Sequence, residues 1–211
     1  MSFTEIGCGI YERSGKKQER EKTRLATKGA DGEFRVWNPH RSKLAALIMK
    51  GFLPPIRETS MVLYLGAAAG TTAGHVADIA HKGLVYALDS SPTEIKRLIP
   101  VCESRSNMIP IFADANHPER YSHLVGRVDV IYQDIAQRNQ VEIALRNVKC
   151  FLREEGCLIL MIKARSIDST ADTRGIFEES VGELREGISV LKTTKLPQYR
   201  DHLAVIARVI R

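Results

Sequence analysis

The chain has 211 residues, of which 44% are hydrophobic, and a formal net charge of +6. This length suits one main α/β domain with a small appendage, and the apolar fraction excludes general disorder. No apolar run approaches the roughly 20 residues of a membrane-spanning helix, and the N-terminus lacks the apolar core of a secretory signal. We therefore expect a cytoplasmic protein without a membrane partner. The moderate positive charge favours a polyanionic partner such as nucleic acid.

The first 35 residues predict a small separate unit rich in β-structure. Hydrophobic residues are sparse there, glycines recur, and no helical period is sustained, which is typical of short strands joined by turns. The densest charge run, Lys16–Arg24, mixes both signs and predicts a solvated loop or hairpin. We expect this subdomain over residues 1–35 and a second domain over residues 36–211.

A helix is expected next, over His40–Gly51. Asn38 can cap such a helix, and Pro39 suits its first position. Lys43 lies in the first turns of this predicted helix. Trp37, just before it, is interpreted as a packing residue.

The segment from Met61 to Asp89 predicts the first half of a nucleotide-binding βαβ unit. It contains an apolar run, a turn of small residues, a stretch of helical period, a second apolar run and a carboxylate; these are Met61–Leu65, Gly66–Gly70, Thr71–His81, Leu84–Leu88 and Asp89. Small residues in such a turn let a ligand lie against the backbone. The carboxylate stands where it can accept both hydroxyl protons of a ribose.

The chemistry of this turn favours S-adenosylmethionine (SAM) as the ligand. The turn is not G-x-G-x-x-G, which disfavours a dinucleotide, and it lacks the Gly-Lys-Ser/Thr of a phosphate-binding loop. An adenosine ribose without a pyrophosphate fits better, with the ribose at Asp89 and the amino-acid end on the turn. The alternative is an ordinary turn between a strand and a helix.

Alternating strands and helices are expected up to the C-terminus. The predicted helices cover residues 91–105, 117–124, 137–152 and 172–186. The predicted strands cover residues 108–112, 128–132, 157–162, 189–196 and 202–209. Gly156 is expected to end the helix before the third of these strands.

Four successive apolar strands end on a polar residue: Asp89, Asp114, Asp134 and Lys163. The carboxyl ends of parallel strands meet at one edge of a sheet, so these side chains should converge on one cleft. The last two strands have a short connection, which predicts a hairpin and one antiparallel strand at the end of the sheet. This pattern is typical of class I SAM-dependent methyltransferases: α/β, Rossmann-like, with a mostly parallel seven-stranded sheet. The scattered histidines and four cysteines form no metal-binding pattern, so no metal is expected.

Several stretches resemble the fibrillarin family. They are RVWNP with RSKLA near the start of the second domain, LYLGAAAGTT, ADANHP, DVIYQDIAQ, IKARSIDST and YRDHLA. Together they extend from about Phe34 to the end of the chain. The first 30 residues match the family poorly, and Asp89 replaces the more common glutamate.

The resemblance implies a box C/D guide-RNA-directed enzyme that methylates ribose 2′-hydroxyls of target rRNA and tRNA. It also implies Nop5 and L7Ae as protein partners. The family's catalytic tetrad maps onto Lys43, Asp134, Lys163 and His202. Its cofactor contacts map onto Gly66, Ala68, Thr71, Thr72, Asp89, Asp114, Ala115, Asp134 and Gln137.

A ribose hydroxyl is a poor nucleophile at neutral pH, so the enzyme must align it with the methyl donor and help its proton leave. We expect Lys163 to act on the hydroxyl and Asp134 to orient that lysine. Lys43 and His202 would shape the electrostatics and position the ribose or its phosphates. The alternative for Lys43 is an ordinary solvated charge on a helix, and the alternative for His202 is a structural histidine.

Other functions remain open from the sequence alone. One is a SAM-dependent methyltransferase acting on a protein glutamine or another substrate, and another is a non-catalytic subunit of a ribonucleoprotein. A dinucleotide-dependent oxidoreductase is disfavoured by the turn. Aromatic residues are 6% of the chain and do not alternate with a basic run. We therefore expect selection of the target to come from outside the protein.

Overall fold

The computed structural model describes residues 2–13 and 24–209, which form two β-sheets and the helices that cover the larger one. Of the Lys16–Arg24 run, the residues before Arg24 lie outside the described part of the chain. The strands are β1 Phe3–Gly7, β2 Ile10–Arg13, β3 Leu25–Lys28, β4 Phe34–Trp37, β5 Met61–Leu65, β6 Leu84–Asp89, β7 Met108–Phe112, β8 Val128–Gln133, β9 Leu152–Lys163, β10 Ser189–Leu196 and β11 Tyr199–Arg208.

The helices are α1 Lys43–Met49, α2 Thr71–Ile79, α3 Pro92–Glu103, α4 Gln140–Phe151, α5 Ala164–Ile167 and α6 Thr173–Gly187. A short 3₁₀ helix covers Pro118–Arg120, where the sequence predicted a longer helix. The expected position of Gly156 at a helix end is wrong. Gly156 lies inside β9, which starts five residues earlier than predicted and carries a bulge opposite β8.

The smaller sheet has the antiparallel order β1-β2-β3-β4 and confirms the expected N-terminal β-structure. It ends at Trp37, and the domain boundary after residue 35 stays a prediction. The larger sheet has the order β10-β11-β9-β8-β5-β6-β7. Within it β11 runs antiparallel to both of its neighbours, β10 and β9. The antiparallel strand is therefore second from the edge of the sheet, and β10 forms that edge.

Helix α1 begins later than the sequence predicted. Its N-cap is Ser42, whose side chain accepts a hydrogen bond from Ala45 N. Asn38 instead closes the preceding turn, with its Oδ1 accepting from His40 N at 2.9 Å. The shift places Lys43 at the first position of the helix.

A buried polar cluster joins the two sheets. Asp78 on α2, whose side chain is 2% exposed, accepts hydrogen bonds from Thr27, Arg35 and Arg105. Thr27 Oγ1 also lies 2.7 Å from His75 Nδ1. Since Thr27 donates its one hydroxyl proton to Asp78, His75 Nδ1 must carry the proton in the second bond.

Trp37 adds an apolar contact to this junction. Its ring is fully buried and stacks on that of His75, with centroids 4.7 Å apart. This confirms the expectation that the tryptophan is a packing residue. Among the described residues, no helix has the length and apolar character needed to cross a membrane.

Candidate active site

The turn after β5 is built on left-handed backbone conformations. Gly66, Ala68 and Gly70 have φ angles of 82°, 47° and 82°. Gly66 N and Ala67 N both donate to Leu88 O at 2.9 Å, which holds the turn against the end of β6.

A side chain at Gly66 is excluded by packing as well as by its φ angle. A Cβ there would lie 2.7 Å from the carbonyl oxygen of Asp134. The expectation that the turn needs small residues is therefore met at this position for a different reason: close approach of another main-chain segment rather than of a ligand.

Asp89 stabilises the same turn through both carboxylate oxygens. Its Oδ2 accepts from Ala68 N at 2.8 Å, and its Oδ1 accepts from Ser91 N at 2.9 Å. A carboxylate oxygen has a second lone pair, so each of these atoms can accept one further hydrogen bond. Asp89 is half-buried, and this remaining capacity faces the cleft described below.

Asp114 takes part in a network on the opposite wall. Its Oδ1 accepts from Asn116 N at 2.9 Å and from Gln137 Nε2 at 3.4 Å. Burial raises the pKa of Asp114, but these hydrogen bonds outweigh it and hold the pKa below its ordinary value. Asn116 in turn donates to Gln137 Oε1 and accepts from Asn139 Nδ2.

A cleft of about 330 Å³ lies between these two walls, at the carboxyl ends of the parallel strands. It is lined by Gly66, Ala68, Leu88, Asp89, Ser90, Ala115, Asp134, Ile135, Ala136, Gln137 and Lys163. The predicted convergence of strand ends thus includes Asp89, Asp134 and Lys163. Asp114 does not line the cleft but accepts a hydrogen bond from Gln137, which does, and its neighbour Ala115 also lines the cleft.

Two residues predicted as cofactor contacts, Thr71 and Thr72, are not among the residues that line the cleft. Thr72 Oγ1 instead donates to Ser42 Oγ at 3.0 Å, and Ser42 caps α1. Thr72 therefore connects α2, which follows the turn, to the helix that carries Lys43. Thr71 is exposed at the first position of α2.

Asp134 forms ion pairs with both lysines of the predicted tetrad. Lys43 Nζ lies 3.0 Å from Oδ2, and Lys163 Nζ lies 2.9 Å from Oδ1. Lys163 Nζ also donates to the main-chain oxygen of Asp134 at 3.0 Å. The three side chains are 15%, 16% and 18% exposed in the order Lys43, Asp134, Lys163, so water screens these charges less than at an open surface.

His202 completes the group from the neighbouring strand, where it pairs with Lys163. Burial, together with the Lys43 and Lys163 ammonium groups, lowers the pKa of His202 to about 4 against the opposing effect of Asp134. The imidazole is therefore neutral near pH 7. Tyr199 lies next to Lys43, whose Nζ is 5.2 Å from the centroid of the tyrosine ring. The Tyr199 hydroxyl donates to Pro39 O at 3.1 Å.

Sequence reasoning missed Leu88, Ser90, Ile135 and Ala136 as residues that line the cleft. Each is a direct chain neighbour of a predicted site residue, so the strand-end rule could have included them. It also missed Gln140, which makes two hydrogen bonds to the main chain of Lys163. No sequence signal marks that contact, because a glutamine at the start of a helix is ordinary.

The residues present fit SAM. The cleft volume lies near the lower end of the roughly 300–1,000 Å³ range of small-molecule sites. Within the described residues, no side chain caps the N-terminus of α2, whose cap residue is Gly70. Its first N–H groups are thus available to a carboxylate. The free lone pairs of Asp89 suit the hydroxyls of a ribose.

The larger sheet has one reversed strand among those described, and its cleft lies at the carboxyl ends of β5, β6 and β8. This combination defines a class I SAM-dependent methyltransferase. Comparison with known proteins narrows this class. A model of the fibrillarin family matches residues 10–211, and the chain belongs to that family.

Named relatives agree over most of the chain. A fibrillarin-like rRNA/tRNA 2′-O-methyltransferase of Methanothrix thermoacetophila is 44% identical over 212 residues, which cover 98% of this chain and 99% of the relative. A solved fibrillarin–Nop5p complex superposes with a TM-score of 0.83 at 43% identity, covering 87% of this chain and 92% of that one. Aeropyrum pernix fibrillarin with natively bound SAM gives 0.81 at 37% identity, covering 94% of each chain.

Proposed function

We propose that this protein is a SAM-dependent methyltransferase that modifies ribose 2′-hydroxyls of rRNA and tRNA under the direction of a box C/D guide RNA. The observation that carries the proposal is the position of Asp134. Its carboxylate holds Lys43 and Lys163 at the rim of a cleft that fits SAM. The name of the Methanothrix relative supports the same reaction and the same two classes of RNA.

SAM supplies an activated methyl group when it is bound. Asp89 would hold the ribose of the cofactor, and the turn that contributes Gly66 and Ala68 to the cleft would receive its amino-acid end. Ala115 and Gln137 line the opposite wall. The natively bound SAM of the Aeropyrum relative supports SAM as the cofactor.

The lysine pair would act on the target ribose. Two ammonium groups on one carboxylate leave a local excess of one positive charge, which attracts the oxygen of the nucleophile and the adjacent phosphates. Lys163 lines the cleft and would contact the 2′-hydroxyl. Asp134 would keep the ammonium group of Lys163 in place. His202, neutral near pH 7, adds no further positive charge and would help to position the ribose.

Partners belong to the same proposal. The fibrillarin–Nop5p complex supports a Nop5-like protein as a direct partner of this chain. The guide RNA and an L7Ae-type protein are proposed from the family resemblance. A net charge of +6 can attract RNA phosphates but does not select a nucleotide, which is consistent with selection by an external guide.

The test is reconstitution of the protein with SAM, a box C/D guide, a matching target RNA and the two partner proteins. We expect methylation of one ribose per guide and movement of that site when the guide sequence is shifted. The protein alone should bind SAM but methylate free RNA weakly and without preference. Site-specific methylation by the protein alone, or none in the full complex, would contradict the proposal.

A further inference from the structure

Lys163 lies at the end of β9, where its two strand neighbours differ. On one side β11 continues the ladder, and His202 pairs with Lys163. On the other side the β8–β9 ladder stops at the pair Gln133 and Leu160, three residues before Lys163. The chain beyond Gln133 leaves the sheet and forms a wall of the cleft, so among the described strands none pairs with Lys163 on that side.

The side chain of Gln140 takes the place of the missing strand. Its Oε1 accepts from Lys163 N at 2.9 Å, and its Nε2 donates to Lys163 O at 3.1 Å. A primary amide offers one acceptor and one donor side by side, which is the pattern that one backbone residue presents to its partner in an antiparallel ladder, although the β8–β9 ladder itself is parallel. The glutamine thus fixes both main-chain polar groups of Lys163.

Gln140 is itself held in place from below. It is the first residue of α4 and is fully buried. Its main-chain oxygen accepts from Nε2 of Gln133 at 2.7 Å, and Gln133 is also fully buried. Two buried amides therefore connect the end of β8, the start of α4 and the end of β9, and their geometry cannot relax through water.

We propose that Gln140 is a positioning residue that sets the main chain of Lys163, and through it the place of the Lys163 ammonium group at the cleft. This inference depends on the proposed methyl transfer. From this main-chain position Lys163 Nζ lies 3.0 Å from Asp134 O and donates to it. Loss of the amide leaves that position supported by β11 alone.

The first variant is Gln140→Ala, measured in the reconstituted complex. We expect the single-turnover methylation rate to fall about 10- to 100-fold, since displacement of a reacting group by about 1 Å has effects of this size. SAM affinity should stay near the wild-type value, because Gln140 does not line the cleft. Asn107→Ala is the matched control, since its Nδ2 donates at 2.8 Å to Ala77 O and Ala80 O, away from the cleft.

The second variant, Gln140→Glu, tests the donor directly. An ionised carboxylate can accept from Lys163 N but cannot donate to Lys163 O, whereas a protonated carboxyl group restores both bonds. The rate deficit of Gln140→Glu relative to wild type should therefore shrink as the pH falls from about 9 to about 6, since burial favours the neutral form. The deficit of Gln140→Ala should not depend on pH.

A purely structural role would not produce this difference in pH profile. The inference would be overturned if both variants methylated at nearly the wild-type rate in complexes that bind SAM and melt normally. A Gln140→Glu deficit equal to that of Gln140→Ala at every pH, or an equal loss in Asn107→Ala, would also overturn it. Absence of methylation in the wild-type complex would instead contradict the proposed function, so the two failures are distinguishable.

Discussion

Gly66 packs against the main chain of Asp134 so closely that a Cβ on the glycine would stand 2.7 Å from the Asp134 carbonyl oxygen. The same oxygen accepts a hydrogen bond from Lys163 Nζ, and Asp134 N donates to Leu65 O at 2.9 Å. The turn proposed to hold the cofactor and the carboxylate proposed to hold the lysines therefore share one contact. A change on either side moves both.

Gly66→Ala is expected to weaken both SAM binding and methylation. The methyl group would displace Asp134 and with it the hydrogen bond from Lys163. The left-handed φ angle of 82° adds strain of roughly 1–2 kcal/mol for any residue with a Cβ. Calorimetry with SAM, thermal denaturation and single-turnover assays of the complex would measure the three effects.

Gly32→Ala is the control for backbone strain. Gly32 has a φ angle of 84°, but a Cβ there would meet nothing within 4 Å. It should lose stability without losing SAM affinity. If Gly66→Ala binds SAM as well as Gly32→Ala does, the contact with Asp134 does not constrain the site.

Asp89→Ala should reduce SAM affinity about tenfold or more, since hydrogen bonds to a charged group contribute about 1.5–3 kcal/mol. The turn should also loosen, because Ala68 N and Ser91 N lose their acceptor. Isothermal calorimetry on the folded variant gives the affinity. Asp31→Ala, which removes an exposed carboxylate from the turn before β4, is the comparison. Unchanged SAM binding by Asp89→Ala would refute the ribose assignment.

Lys163→Ala should lower the methylation rate by roughly 10²–10⁴, the usual range for a positioned acid–base group. SAM binding should change little. Asp134→Ala should impair both rate and binding, because its carboxylate holds two ammonium groups and lines the cleft. Lys82→Ala removes an exposed lysine from its ion pair with Glu58 and serves as the control. A near-wild-type rate for Lys163→Ala would require another group at the hydroxyl.

Stability should decrease in mild acid because of two histidines. Burial, then the neighbouring Arg105 and Arg35, lowers the pKa of His75 to about 3, and burial first of all lowers that of His202 to about 4. An unfolded histidine titrates near about 6.5. Below that pH the unfolded chain binds protons that the folded chain does not, so the free energy of unfolding falls as the pH falls.

The slope should approach about 1.4 kcal/mol per pH unit for each fully buried histidine between about pH 6.5 and pH 4. His75 should dominate, because His202 is only half-buried. Urea denaturation at about pH 7.5 and pH 5 would measure the effect, with His75→Asn expected to flatten it. His123→Asn, at an exposed position, is the control. An equal slope in wild type and His75→Asn would contradict the assignment.

The sequence predicted the bounds of three strands of the larger sheet, β5, β7 and β10. The continuous apolar run of β5 is typical of a strand buried in a parallel sheet. β7 lies at the edge of the sheet with Ile109 and Phe112 exposed, so burial on both faces does not account for its apolar run. The start of α1 was missed because Asn38 and Ser42 are both good caps, and only tertiary contact decides between them. The bulge in β9 concealed the role of Gly156.

Those site residues that directly follow an apolar strand could be predicted from the sequence. Asp89, Asp134 and Lys163 follow apolar runs and meet in the cleft. The hydrogen bond from Thr72 to Ser42, 30 residues away in the chain, could not be predicted from the sequence, and the expected cofactor contact of Thr72 stays a prediction. The role of Gln140 could not be predicted either, because it contacts main-chain atoms of Lys163, and every residue type has the same main-chain atoms.

The buried carboxylate of Asp78 determines how far this chain can be shortened. One of its arginine partners, Arg105, lies in the connection between α3 and β7, but Arg35 and Thr27 come from the N-terminal strands. A fragment that begins after Trp37 would retain the charge with a reduced set of donors and would open one face of the His75 ring to water. We therefore expect the smallest autonomously folding fragment to start upstream of β3, and we expect exchange of the N-terminal sheet to destabilise the rest of the chain.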